Sequence, residues 1–135
     1  MNAATKRSVR ERARDRCEYC RLSQAAQPYV TFHVDHILSR KHGGSDDPSN
    51  LALACERCNA FKGTDLTGID PDTGQVERLF DPRTQNWNDH FEPCAALILG
   101  RTPTGRVTVA VLGMNEERRV QLRAELLALG GFGVD

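Results

Sequence analysis

His33-Val34-Asp35-His36 decides the reading of this chain because of what brackets it. Cys17-Glu18-Tyr19-Cys20 precedes it, and Cys55-Glu56-Arg57-Cys58 follows it, with Asn59 directly after the last cysteine. Thirty-four residues separate the two C-x-x-C pairs. Four thiolates in two such pairs close a tetrahedral Zn²⁺ site. The competing use of a C-x-x-C is a redox dithiol. That needs only one pair, usually within a thioredoxin-like strand–helix pattern that is absent here. A metal clip at Cys17, Cys20, Cys55 and Cys58 folds two distant pieces of chain together. It thereby brings Asp35, His36 and Asn59 into one neighbourhood.

Working outward, residues 5–16 read as a short Arg-rich helix running into the first cysteine pair. Residues 29–37 are rich in β-branched and aromatic types and read as a strand. Gly43-Gly44 and Asp46-Asp47-Pro48 break the chain into a loop. Residues 51–54 form a second apolar strand, and a helix from Glu56 to about Lys62 stops near Gly63. Beyond residue 65, Asp70-Pro71-Asp72-Thr73-Gly74 is a turn followed by a strand over 75–80. Residues 81–88 look irregular. Further strands are expected over 95–99 and 106–112. Asn115 is the expected N-cap of a last helix, with Glu116 and Glu117 at its positive end. On that helix Val120, Ala124 and Leu127 form one row and Leu122, Leu126 and Leu129 another. This broad face is read as core or as a docking surface, and Gly130-Gly131 ends the helix.

The bulk numbers fit one modest domain spanning residues 1–135. The chain has 135 residues, only 6% of them aromatic, and a mean hydropathy of −0.50, so a structural metal would support a thin core. Net charge is zero, and global electrostatics do not argue for a nucleic-acid partner. Residues 1–16, however, carry six Lys or Arg against two acids. Such a cluster either contacts phosphates or is a solvated helix face. No secretory signal is visible, and no apolar run approaches the ~20 residues of a membrane span. The odd fifth cysteine, Cys94, reads as a small buried or half-buried residue. A reducing compartment fits metal-bound thiolates better than a disulfide framework does.

Asp35 and His36 are adjacent on a strand, so they face opposite sides unless the strand bends or ends there. Phosphodiester hydrolysis needs a base for water, a cation for the leaving oxygen and positive groups on the phosphate. His36 has the imidazole for the first task. Asp35 offers a hard oxygen to Mg²⁺ or Mn²⁺, and Asn59 a second one. Lys62 lies one turn further on, as a phosphate contact or a solvated lysine. His33 shares the face of Asp35, for phosphate contact, for support of the metal ligand, or for plain hydrogen bonding. His90, beside Trp87 and Phe91, reads as packing. Arg83 and Arg106 are further candidates for DNA contact.

Together, Arg16-Cys17-x-x-Cys20, Phe32-His33-Val34-Asp35-His36-Ile37, His42-Gly43-Gly44 and Asn50-Leu51-Ala52-Leu53-Ala54-Cys55-x-x-Cys58-Asn59-x-x-Lys62-Gly63 resemble the HNH endonuclease family. The likeness is to its zinc-clipped bacterial and phage branch. It covers about residues 7–65. The tail motifs Gly68-x-Asp70-Pro71, Pro82-Arg83, Trp87-x-x-His90-Phe91 and Thr104-Gly105-Arg106 are similar to stand-alone members. The resemblance implies an α+β fold: a ββα-metal unit at about 16–65 with a structural Cys₄ zinc site, then C-terminal strands and an amphipathic helix at about 66–135. It implies that Asp35 and Asn59 hold one catalytic cation, that His36 is the general base and that Asn50 braces the loop between the strands. Asn59 stands where the family often has His, which favours Mg²⁺ or Mn²⁺ over softer metals. The implied partner is DNA, contacted through Lys62, His33, Arg14 and Arg16, and the implied setting is the cytoplasm of a bacterium or of a phage-infected cell. The competing readings are a non-catalytic zinc module that binds nucleic acid and a partner-binding zinc domain.

Overall fold

A computed structural model describes residues 1–132. The fold is α+β. The order is α1 (Ala3–Arg12), β1 (His33–His36), β2 (Leu51–Ala54), α2 (Glu56–Lys62), β3 (Thr67–Ile69), β4 (Val76–Arg78), α3 (Trp87–His90), β5 (Phe91–Cys94), β6 (Leu97–Gly100), α4 (Pro103–Val111) and α5 (Glu117–Ala128). The strands form three antiparallel two-stranded sheets, β1–β2, β3–β4 and β5–β6. In the first sheet Asp35 lies opposite Ala52 and His36 opposite Leu51. All four residues of β2 are buried, so its continuous apolar run is a central layer between α1 and α2 rather than an amphipathic edge.

A hairpin this short does not stand alone in water. The Cys17–Cys20 turn supports it. Glu18 N–H donates to Leu53 O, and Glu18 Oε2 accepts from Leu53 N–H, both at 2.8 Å. Arg12 adds donors to Leu51 O at 2.6 Å and Pro48 O at 3.0 Å. One hydrophobic cluster then runs from Val9 through Tyr19, Phe32 and the β2 residues to Trp87, Ile98, Val107 and Met114. Trp87 stacks on Phe91 with ring centroids 5.0 Å apart, and its Nε1–H donates to Tyr19 O at 2.7 Å.

Several expected boundaries move. Asn2 caps α1 by accepting from Thr5 N–H at 2.8 Å. The helix ends at Arg12 rather than at residue 16 because Arg14 and Asp15 take left-handed backbone conformations, each with φ 55°. β1 begins at His33, and Tyr29 stands free in solvent. The strand after the 70–74 turn is only Val76–Arg78. The segment expected to be irregular contains the start of α3.

The expected strand over 106–112 is a helix. The β-branched run Val107-Thr108-Val109 hid it. Thr102 caps the helix by accepting from Gly105 N–H at 3.0 Å, and Pro103 stands in its first turn. The helix can close on β3 because residue 68 is glycine. A Cβ there would meet Val111 Cγ2 at 2.4 Å and Val107 Cγ2 at 2.8 Å.

Two further corrections concern the tail. Cys94 is exposed rather than buried, because β5 faces solvent beyond Phe91. Asn115 does not cap α5. Its amide clamps β6 by accepting from Ile98 N–H at 2.9 Å and donating to Ile98 O at 2.8 Å. The buried residues of α5 are Arg119 and Arg123, with Leu122 and Leu126 packed beside the core. Leu127 and Leu129 are exposed.

Candidate functional site

The four cysteines converge. The Sγ atoms of Cys17, Cys20, Cys55 and Cys58 all lie within 4.8 Å of one another, and all four residues are buried. Cys20 and Cys55 Sγ are 3.7 Å apart. A tetrahedron with Zn–S arms of ~2.3 Å has an S···S edge of about 3.8 Å, so the donor set fits a Cys₄ zinc site. Each C-x-x-C turn points a backbone N–H at its first sulfur: Cys20 N–H at Cys17 Sγ and Cys58 N–H at Cys55 Sγ, both at 3.4 Å. Cys55 is also the N-cap of α2. Burial pushes the Cys17 and Cys58 thiols up, while bonds from the other thiols pull Cys20 down. Four such groups in one dry pocket call for a cation.

Asp35 sits under the hairpin with its carboxylate buried. Tyr19 OH donates to Oδ2 at 2.9 Å. Lys62 Nζ lies 3.1 Å from Oδ2 and 3.4 Å from Oδ1. Burial drives the Asp35 carboxyl above the usual carboxylate range, opposed by Lys62 and Tyr19. Burial and the Asp35 charge raise Tyr19 as well and keep its phenol a donor. Lys62 is therefore no surface contact. It is 2% exposed and also donates to His36 O at 3.0 Å and Ile37 O at 3.3 Å. Its aliphatic stem lies in the core, and its ammonium is spent on Asp35 and two carbonyls.

His36, next along the strand, is partly exposed. Its Nε2 is 2.8 Å from Asp46 Oδ1, and Arg40 donates to both Asp46 oxygens at 2.6 Å. His36 first and Arg40 second hold the Asp46 carboxyl far below its ordinary range. Asn50 spans the base of this loop. It accepts from Leu38 N–H at 2.8 Å and donates to Leu38 O at 2.9 Å and Ser45 O at 2.8 Å.

Asn59, half-buried on α2, lines an open groove of about 360 Å³ with His33, Val34, Phe32, Lys6 and Arg10. This groove joins Asn59 to His33 and to two cations of α1. Arg14 and Arg16 lie elsewhere, in a groove of about 380 Å³ that also has Arg12, Arg21, Glu18 and Asn88 on its walls. Arg83 is not available for a phosphate, since it pairs with Glu18. Arg106 is likewise committed to Asp70 and Asp72.

The sequence reading missed three residues that act here. Asp46 holds His36, Tyr19 holds Asp35, and Arg119, from α5, donates to the zinc-site sulfurs. Tyr19 had a visible signal, being an aromatic inside the first C-x-x-C. Asp46 and Arg119 had none, since both look like ordinary surface charges.

Residues 17–65 match the model of the HNH endonuclease family. With its two cysteine pairs, this segment is similar to HNH domains of the zinc-clipped type, and the match supports a nuclease-type function with a nucleic acid as substrate. No curated protein and no solved structure matches the chain. Among the described residues no helix is long and apolar enough to cross a membrane.

Proposed function

We propose that this protein is a metal-dependent endonuclease that hydrolyses DNA phosphodiester bonds. The observation that carries the reading is the coincidence of the HNH match with Asp35 and His36 on one strand that packs on α2, the helix carrying Asn59, beside the cysteine clip. His36 is the general base. Because Asp46 can only accept, the His36 proton sits on Nε2, and the Nδ1 lone pair is left to take a proton from water. The water oxygen attacks phosphorus, the bond to the 3′ oxygen breaks, and the products are a 5′-phosphate and a 3′-hydroxyl. Asn50 keeps the Leu38–Ser45 loop closed, so that Asp46 stays on His36.

Asp35 and Asn59 are the residues that would hold the catalytic cation. A carboxylate and an amide oxygen are the right chemistry for Mg²⁺ or Mn²⁺. When bound, such a cation stabilises charge on the departing oxygen. Lys62 now neutralises Asp35, so a divalent ion must displace its ammonium. His33, Lys6 and Arg10 flank Asn59 and suit a phosphate backbone, and Arg14 and Arg16 offer a second contact at the far end of α1.

The Asp35–Lys62 pair also favours the alternative, a non-catalytic zinc module that binds nucleic acid. One experiment separates the two. Purified protein is incubated with plasmid and single-stranded DNA in Mg²⁺, Mn²⁺ or EDTA. The expected result is cleavage that EDTA stops and Mg²⁺ or Mn²⁺ restores, with a loss of about 10²-fold or more in His36→Ala. Salt-dependent binding without cleavage in any metal would establish the binding module instead.

A further inference from the structure

Arg119 lies on α5, more than fifty residues beyond the HNH segment, yet it ends on the zinc-site sulfurs. Its side chain is buried. Nη2 donates to Cys58 Sγ at 3.0 Å and approaches Cys55 Sγ at 3.8 Å. Nη1 donates to Leu112 O at 2.6 Å and Gly113 O at 3.1 Å, where α4 ends. Among the described residues, the anionic partners of this guanidinium are thiols rather than carboxylates. A Zn²⁺ with four thiolates carries a net charge of −2, and in a buried site that charge needs an answering cation. Arg119 supplies it.

Arg123, one turn further along α5, is a natural control. It is equally buried and docks the same helix by donating to Ala96 O at 2.7 Å and Met114 O at 2.6 Å, but it makes no bond to sulfur. Arg123 also donates to Asn115 Oδ1 at 3.0 Å, and the bonds to sulfur are what set Arg119 apart.

We propose that Arg119 is a positioning residue of the zinc clip: by donating to Cys58 and Cys55 it lowers the nucleophilicity of their thiolates and retains the zinc, so that docking of the C-terminal helix and metal retention are one event. The inference rests on the Cys₄ zinc reading and is independent of nuclease activity. An N–H···S bond draws electron density from sulfur, which makes the thiolate a poorer target for electrophiles. The tail residues thus complete the metal site that the HNH segment begins.

The test uses the full chain, with zinc per chain first measured by elemental analysis. Zinc transfer to the chelator 4-(2-pyridylazo)resorcinol is followed after addition of N-ethylmaleimide, which attacks thiolates. Cys94→Ser is the background, because Cys94 is exposed and would consume reagent. Arg119→Met should release zinc about 10- to 100-fold faster, as expected when a group supporting a metal ligand is removed, and Arg119→Lys should fall between it and the parent. Arg123→Met, matched for stability by the urea concentration chosen, should release zinc near the parent rate. In Co²⁺-substituted protein the sulfur-to-cobalt charge-transfer band should move to longer wavelength in Arg119→Met and stay in place in Arg123→Met. Equal acceleration in the two Met variants with an unmoved band would overturn the proposal, leaving Arg119 as a docking residue only. Should Arg119→Met fail to fold, Arg119→Lys decides, and a parental rate with a parental band overturns it. Folded parent protein without zinc would also overturn it.

Discussion

Lys62→Met is the perturbation whose outcome the structure specifies most closely. Methionine keeps the length and apolar volume of the buried stem and removes only the ammonium. Among the described residues, that leaves Asp35 with Tyr19 as its one remaining side-chain donor, and it strips Nζ from His36 O and Ile37 O. With both side chains at 5% exposure or less, removing one partner of such a pair costs about 3–5 kcal/mol. An independent limit comes from protonation. A carboxyl of ordinary pKa ~3.9 can be neutralised at pH 7 for about 4 kcal/mol, so the unpaired Asp35 cannot destabilise the fold by much more than that.

The sign of the pH dependence follows. Burial already raises the Asp35 carboxyl, and losing Lys62 raises it further. A carboxyl raised in the folded state is fully tolerated below its unfolded pKa of ~3.9 and becomes a liability as pH rises. Urea unfolding of zinc-loaded protein should therefore show a pH-dependent gap between Lys62→Met and wild type of up to about 4 kcal/mol at pH 7 that shrinks to about 1.5 kcal/mol or less at pH 5, from ~1.4 kcal/mol per pH unit. Asp35→Asn in the Lys62→Met background should recover most of the loss. Millimolar Mg²⁺ should narrow the pH 7 gap, as a cation replaces the ammonium. A gap under about 1 kcal/mol at pH 7, or one that does not change with pH, would refute the claim that Lys62 neutralises a desolvated Asp35.

Replacing Cys17, Cys20, Cys55 or Cys58 with Ser should lower zinc content and markedly destabilise the fold, read by elemental analysis and thermal melts, because metal binding contributes to folding directly. Cys94→Ser should leave zinc unchanged. Asp70, bonded first to Arg106 Nη2 and Nε, has its carboxyl drawn down to about 2; its contribution is present above the unfolded value of ~3.9 and fades as pH falls toward 2. Wild type and Asp70→Asn should thus differ in melting temperature at pH 7, and the difference should begin to narrow as the pH is lowered below about 5. Gly68→Ala should lower stability by about 1–3 kcal/mol, since its Cβ would overlap Val111 and Val107 where α4 lies on β3; an unchanged melting temperature would show that α4 yields freely.

The HNH segment was legible because its signals are local. C-x-x-C pairs fix ligand spacing, β-branched runs fix the hairpin, and Cys55 marks the start of α2 where both the thiol cluster and the helix need it. The tail was less legible because its signals conflict. Val107-Thr108-Val109 has strand propensity, yet the Thr102 cap, Pro103 and the Gly68 clearance make it helix. Asn115 is a good cap by type, and the edge of β6 claims its amide first. Tertiary contacts outweigh propensities of a few tenths of a kcal/mol per residue.

The larger gap concerns charged residues that turn inward. Arg119, Arg123, Lys62 and Asp70 are each under 10% exposed, and sequence reasoning assigns such types to solvent by default. Their burial is consistent only in combination: Lys62 requires Asp35, Arg119 requires the thiolates, and Asp70 requires Arg106. Each pair joins segments far apart in sequence, so neither member signals its fate locally. The consequence for function is direct. Asp35 and Lys62 were read as two separate groups, one for metal and one for phosphate, and the structure makes them a single neutralised unit. Catalysis by this site requires that unit to open. The competition between a divalent ion and the Lys62 ammonium for Asp35 is therefore the step on which the nuclease reading and the binding-module reading diverge, and metal-dependent recovery of Lys62→Met reads it without a substrate.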